Sequence, residues 1–122
     1  MHLKSILNHV EPLKSFVYKR ERLVTTAGGS TEIEVEIEPR ANGRPICSGC
    51  GKKRPGYDRL PARRFEFVPL WNIAVFFVYA MRRVECPTCG VVVERAPWAD
   101  GKEHLTTSYR WFLARWAKRL SW

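Results

Sequence analysis

The chain has 122 residues, 45% of them apolar and 27% charged, with a formal net charge of +9. That length limits it to one domain, or one domain and a short extension, whose modest core gains from a staple. Its longest apolar stretch, Phe65 to Met81, is broken by Glu66, Pro69 and Asn72. This excludes a spanning helix of about 20 residues and predicts buried strand instead.

The opening Met1 to Val10 lacks the continuous apolar run of a secretory leader, so the four cysteines are expected as thiols in a reducing, cytoplasmic compartment. Within it, Leu3, Ile6, Leu7 and Val10 fit one face of a short helix that the Glu11-Pro12 step ends. Phe16 to Val24 and Thr31 to Glu38 flank Ala27-Gly28-Gly29-Ser30 and predict a β-hairpin. In the second strand Ile33, Val35 and Ile37 face a core. Glu32, Glu34, Glu36 and Glu38 form a solvent ladder for Lys19, Arg20 or Arg22 to offset.

Pro39 to Pro45 reads as a loop into the first cysteine pair, and Gly51 to Arg59, basic and punctuated by Gly and Pro, as an exposed loop out of it. Arg63 to Val68 and Trp71 to Val84 are β-rich; the second run is apolar on both faces, as a central strand is. Val91 to Glu94 is a further strand, and Ala96 to Gly101 closes the β part. Tyr109, Phe112, Leu113, Trp116, Ala117 and Leu120 recur at helical spacing, with Thr106, Thr107 or Ser108 as cap. Arg110, Arg115, Lys118 and Arg119 share the other side with Trp111 and Trp122.

The cysteines fall as Cys47-Ser48-Gly49-Cys50-Gly51 and Cys86-Pro87-Thr88-Cys89-Gly90. Two intervening residues let a tight turn aim both sulfurs at one cation about 2.3 Å away, and the following glycine is free to take positive φ. Two such knuckles make a closed tetrahedral site with no position left for substrate, so a structural zinc ion is the expected cofactor. Iron in a four-thiolate site has nearly the same ligand pattern. A redox pair wants one Cys-x-x-Cys in βαβ context, and disulfides an oxidising compartment. Four thiolates on a divalent metal lower +9 only to +7.

The positive charge is uneven. Residues 1–46 carry seven Lys/Arg against six Asp/Glu, residues 47–90 eight against three, and residues 91–122 six against three. An excess that starts at the first cysteine pair predicts an anionic partner, nucleic acid being the commonest. His2, His9 and His104 are not needed as ligands beside four thiolates. No phosphate-binding glycine loop, paired carboxylates outside the ladder or nucleophile setting marks a catalytic site.

The run "RRVECPTCG", the short strand after it and "ERAPWADGKEHLTTSYRWFLARWAKRLSW", with the Cys47/Cys50 pair upstream and the opening "LNHVEPLKSFVY", resemble the N-terminal region of insertion-sequence transposases of the ISL-three family. The resemblance implies a four-cysteine zinc-finger domain with Cys47, Cys50, Cys86 and Cys89 as ligands, followed by a helix-turn-helix and a DDE catalytic domain. The helix from Thr106 onward matches the lead-in to the helix-turn-helix. The family's acidic triad has no counterpart here, so a non-catalytic, truncated or separately encoded N-terminus is expected, nucleoid-associated in a bacterial cytoplasm.

The resulting expectation is an α+β, β-dominated, zinc-ribbon-like domain over residues 1–104 with an N-terminal hairpin, then an amphipathic helix over 105–122. Lys52, Lys53, Arg54, Arg63, Arg64, Arg82 and Arg83 are the expected contacts to double-stranded DNA. Trp98 is expected in the core, since Pro-Trp after a strand packs. Self-association through the C-terminal helix is a further expected contact. The alternative is a protein-interaction or regulatory fragment that binds or inhibits an intact transposase.

Overall fold

Residues 3–100 and 103–120 are described by the computed structural model. His2, Gly101, Trp122 and the side chain of Leu120, named above, lie outside the described residues. Among these the chain order is α1 (Leu3–Val10), β1 (Phe16–Thr25), β2 (Thr31–Pro39), β3 (Gly56–Leu70), β4 (Ile73–Cys86), β5 (Gly90–Val93) and α2 (Thr107–Leu120). The fold is α+β and dominated by strand.

β1 and β2 form the antiparallel hairpin that their alternation predicts, running from Phe16 opposite Pro39 to Thr25 opposite Thr31. Ile33, Val35 and Ile37 are buried. On the other face Arg20 pairs with Glu36, Arg22 with Glu34, and Arg64 of β3 with both Glu32 and Glu34. Glu32, Glu34 and Glu36 are therefore neutralised from two strands rather than from the hairpin alone.

The sheet order is β1-β2-β4-β3. β4 is central: it runs parallel to β2 and antiparallel to β3. Past the end of their pairing, β5 takes the same edge of β4, with Cys86 opposite Gly90. The parallel β2–β4 contact needs a long crossover, and the first cysteine pair and β3 lie within it.

Three local expectations change. β3 starts at Gly56, not near Arg63, because Gly56 pairs with Val84 and Asp58 with Arg83; long-range pairing overrides the loop-like composition of Gly56 to Arg59. Pro61 and Pro69 are accommodated at register shifts, which an edge strand tolerates. Trp71 and Asn72 are not strand but turn residues at φ 48 and 62. On β4, Val75, Phe77, Tyr79 and Met81 are buried, but Ala74, Phe76, Val78 and Ala80 are only half-buried. They share the face of the ion-pair lattice, where the Arg64 guanidinium lies 3.7 Å from the Phe76 ring centre.

Trp98 is 1% exposed and organises the core. Phe16, Phe65 and Tyr79 meet it edge to face at 5.1, 5.6 and 5.2 Å between ring centres, the arrangement that the ring quadrupoles favour. Its backbone carbonyl accepts the Thr107 N–H at 2.8 Å, which ties the start of α2 to the core. Thr106 caps α2, its hydroxyl accepting the Tyr109 N–H at 3.2 Å. The Ser108 hydroxyl donates to Glu11 at the end of α1.

Beyond this first turn α2 leaves the sheet. Tyr109 and Phe112 are half-buried, whereas Leu113, Trp116 and Ala117 of the expected core stripe are exposed, as is Trp111. No helix of the described residues is long and apolar enough to cross a membrane.

Candidate metal centre

Each cysteine pair sits in a turn. In the first, Ile46 bridges Lys53, the Gly51 N–H donates to the Cys47 carbonyl at 2.9 Å, and the Cys47 N–H donates to the Lys52 carbonyl at 2.8 Å. The second is the β4–β5 hairpin loop. Gly51 and Gly90 both take positive φ, 74 and 81, which is the conformation the glycine after each pair was expected to supply. A bridge between Cys47 and Glu94 sets the first turn beside the end of β5.

The four Sγ atoms lie within 4.8 Å of one another. Cys50 Sγ and Cys86 Sγ are 3.7 Å apart, close to the ~3.8 Å edge of a tetrahedron with spokes of about 2.3 Å. Gly49 forms part of the cradle: a Cβ there would stand 2.6 Å from Cys89 Sγ. All four cysteines are free thiols; Cys47 and Cys86 are buried, Cys50 and Cys89 half-buried. Val84 and Val92 pack around them. This cluster can hold a metal ion, and four soft sulfur donors suit zinc or iron.

The local dipoles favour a cation. The Cys89 N–H, helped by that of Thr88 and opposed by burial, lowers the Cys86 thiol to about 6. The Lys52 N–H lowers the Cys50 thiol. Sharing a hydrogen bond with Cys47, together with burial, pushes Cys89 up to about 12. A cation entering the cluster thus meets two sulfurs, Cys50 and Cys86, leaning toward thiolate and must displace the proton that Cys89 holds. The Arg54 guanidinium hydrogen-bonds Cys50, which raises its own pKa. Arg95 covers the same turn, its guanidinium nitrogens 3.4 Å from where a Cβ on Gly51 would be. His9 and His104 are exposed and outside the cluster.

The seven basic residues expected at a DNA surface divide by environment. Lys52 and Lys53 are exposed, with no side-chain partner among the described residues. Arg54 faces sulfur. Arg63 donates to the Glu103 carbonyl at 2.7 Å and lies over the Phe65 ring, while Arg64 is in the glutamate lattice. Arg83 is paired with Asp58, a hydrogen bond that also lowers the Asp58 carboxyl.

Arg82 departs furthest from expectation. It binds Glu94 through Nε and Nη2 and the Gly43 carbonyl through Nη1 at 3.0 Å. Glu94 also accepts from the Tyr79 hydroxyl at 2.5 Å and the Arg82 N–H at 2.7 Å. The half-buried Arg82 guanidinium thus balances a buried carboxylate. Nothing in the sequence alone assigns a role at this site to Glu94, Tyr79, Gly49 or Arg95. A lone carboxylate ending the apolar Val91–Val93 run and a glycine between two cysteines were the available signals.

Over 74 residues the chain is 32% identical to the transposase for insertion sequence element IS1557 of two Mycobacterium tuberculosis strains, CDC 1551 / Oshkosh and H37Rv. The aligned segment covers 60% of this chain and 17% of each of those proteins. The chain is therefore similar to a transposase through a segment that spans a small part of one. No protein-family model and no solved structure matches it.

Proposed function

We propose that the chain is a structural-zinc, DNA-binding module of the kind that opens ISL-three-family transposases, acting in the bacterial cytoplasm without catalytic residues of its own. The observation that carries this reading is the closed four-sulfur cluster in a chain of net charge +9. Four protein thiolates fill the tetrahedron, so the ion would cross-link the turn at Cys47–Cys50 to the β4–β5 hairpin rather than act on substrate. Cys47, Cys50, Cys86 and Cys89 are the proposed ligands, residues 1–104 the zinc-binding unit, and residues 105–122 the segment that leads from it. Similarity to a transposase supports DNA as the anion that the positive charge addresses.

The test is elemental analysis of the full chain purified without added metal, with duplex-DNA binding followed by fluorescence anisotropy across a salt series. One zinc per chain and affinity that falls steeply with salt are expected; iron, an empty site or no retention on DNA contradicts the reading.

The exposed Trp111, Leu113 and Trp116 favour a second reading, a protein partner or second copy met through α2. Under it the isolated chain does not bind DNA until that partner is added.

A further inference from the structure

Most arginines on the sheet are already neutralised, but four cations that the structure leaves without a side-chain partner converge on one cleft. Lys14, Arg44, Lys53 and Arg95 line a cavity of about 250 Å³ beside the first cysteine turn. Each is exposed, and none has an ion pair or side-chain hydrogen bond among the described residues. They come from four separate stretches of the chain.

Local structure fixes where they stand. Ser15, at φ 69, turns the chain from Lys14 into β1, and its carbonyl accepts the Arg40 N–H at 2.9 Å. A Cβ on Gly43 would stand 3.1 Å from that same carbonyl, so the two segments meet closely here. Arg82 holds the loop from beneath through the Gly43 carbonyl, next to Arg44. The Arg95 N–H donates to the Ile46 carbonyl at 2.8 Å and the Arg54 N–H to the Pro45 carbonyl at 3.0 Å. The cleft's one carboxylate, Glu94, is cancelled by Arg82 below it. The apolar residues Phe16 and Pro97 also line it.

We propose that this cleft is a seat for the phosphodiester backbone of duplex DNA, with Arg44 and Arg95 supplying guanidinium forks and Lys14 and Lys53 point charges. The inference rests on the DNA-binding reading and says which surface does the binding. Guanidiniums match phosphate oxygens two at a time, and ammoniums add charge without fixed geometry. The buried Arg82–Glu94 pair acts as a positioning device, fixing the loop that carries Arg44 without touching the phosphate. Such a seat orients the duplex and carries no base preference.

The experiment uses the full zinc-loaded chain and a labelled duplex in anisotropy titrations over a salt series. Arg44→Gln with Arg95→Gln is compared with Lys14→Gln with Lys53→Gln, which stays off Gly51, and with Arg20→Gln with Arg22→Gln on β1. Each cleft pair is expected to reduce the slope of log affinity against log salt by about 1.8, and to weaken binding roughly fiftyfold at 0.1 M salt. The β1 pair should leave the slope near wild type. Inorganic phosphate at matched ionic strength should not displace the duplex. If wild type binds DNA while both cleft pairs keep its slope, the cleft is wrong and the DNA reading stands. Displacement by millimolar phosphate makes it a small-anion pocket and overturns the proposal. If wild type does not bind duplex at all, the DNA reading itself fails.

Discussion

Arg82 Nη2 lies 2.9 Å from Glu94 Oε1, and the Glu94 side chain has no exposed surface. An arginine beside a cysteine turn, which by sequence looks like a phosphate ligand, is therefore the half-buried counter-ion of a buried carboxylate. Tyr79 completes the network, and burial together with its bond to Glu94 holds its phenol above the ordinary value. Removing one member of a buried pair strands the other's charge. Glu94→Gln is expected to lower the unfolding free energy of the metal-loaded chain by about 3 kcal/mol or more, and Tyr79→Phe by about 1 kcal/mol. Urea denaturation followed by tryptophan fluorescence measures both.

The cradle around the sulfurs separates steric from conformational roles of glycine. Gly49→Ala places a methyl 2.6 Å from Cys89 Sγ, so zinc affinity should fall by roughly 10- to 100-fold, as for lost support around a metal. Gly90→Ala meets no atom within 4 Å but must hold φ 81. It is expected to cost about 1–2 kcal/mol in stability while leaving zinc affinity near wild type. Competition with a chromophoric chelator and denaturation curves distinguish the two.

Zinc uptake should release protons. In the metal-free cluster Cys89, pushed up to about 12, keeps its proton at neutral pH, whereas Cys86, lowered to about 6, has largely lost its own. Apparent zinc affinity should therefore fall as pH drops, and fall more steeply below about 6, where Cys86 is protonated as well. Titration in weakly buffered solution with a pH indicator counts the protons; no release between pH 7 and 8 contradicts this picture.

The Trp71-Asn72 turn carries strain. Trp71 is 82% exposed and sits at φ 48, a region costly to a bulky side chain. Two-residue hairpin loops with two positive φ values prefer Asn-Gly. Trp71→Asn with Asn72→Gly is expected to raise stability by about 1 kcal/mol, read as a higher thermal midpoint.

Where chemistry was local, sequence sufficed. Cys-x-x-Cys-Gly spacing, the alternation at Ile33, Val35 and Ile37, and a helix cap among Thr106, Thr107 and Ser108 each concern residues a few positions apart. What stayed hidden depends on distant pairing. Gly56 to Arg59 read as loop because nothing nearby reveals β4 as their partner. Arg82 and Glu94 meet only because β5 folds back along β4. The even face of β4 looked core-like by composition, yet arginines and glutamates from three strands cover it in place of another layer. Lys14, Arg44, Lys53 and Arg95 form no motif, and only the folded chain brings them together.

The most direct measurement is duplex-DNA binding by the full chain before chelation, after chelation, and after return of one equivalent of zinc. A zinc-pinned DNA module requires binding that disappears with the metal and returns with it. Undiminished affinity after the metal is removed, or no affinity while it is bound, would contradict the central claim.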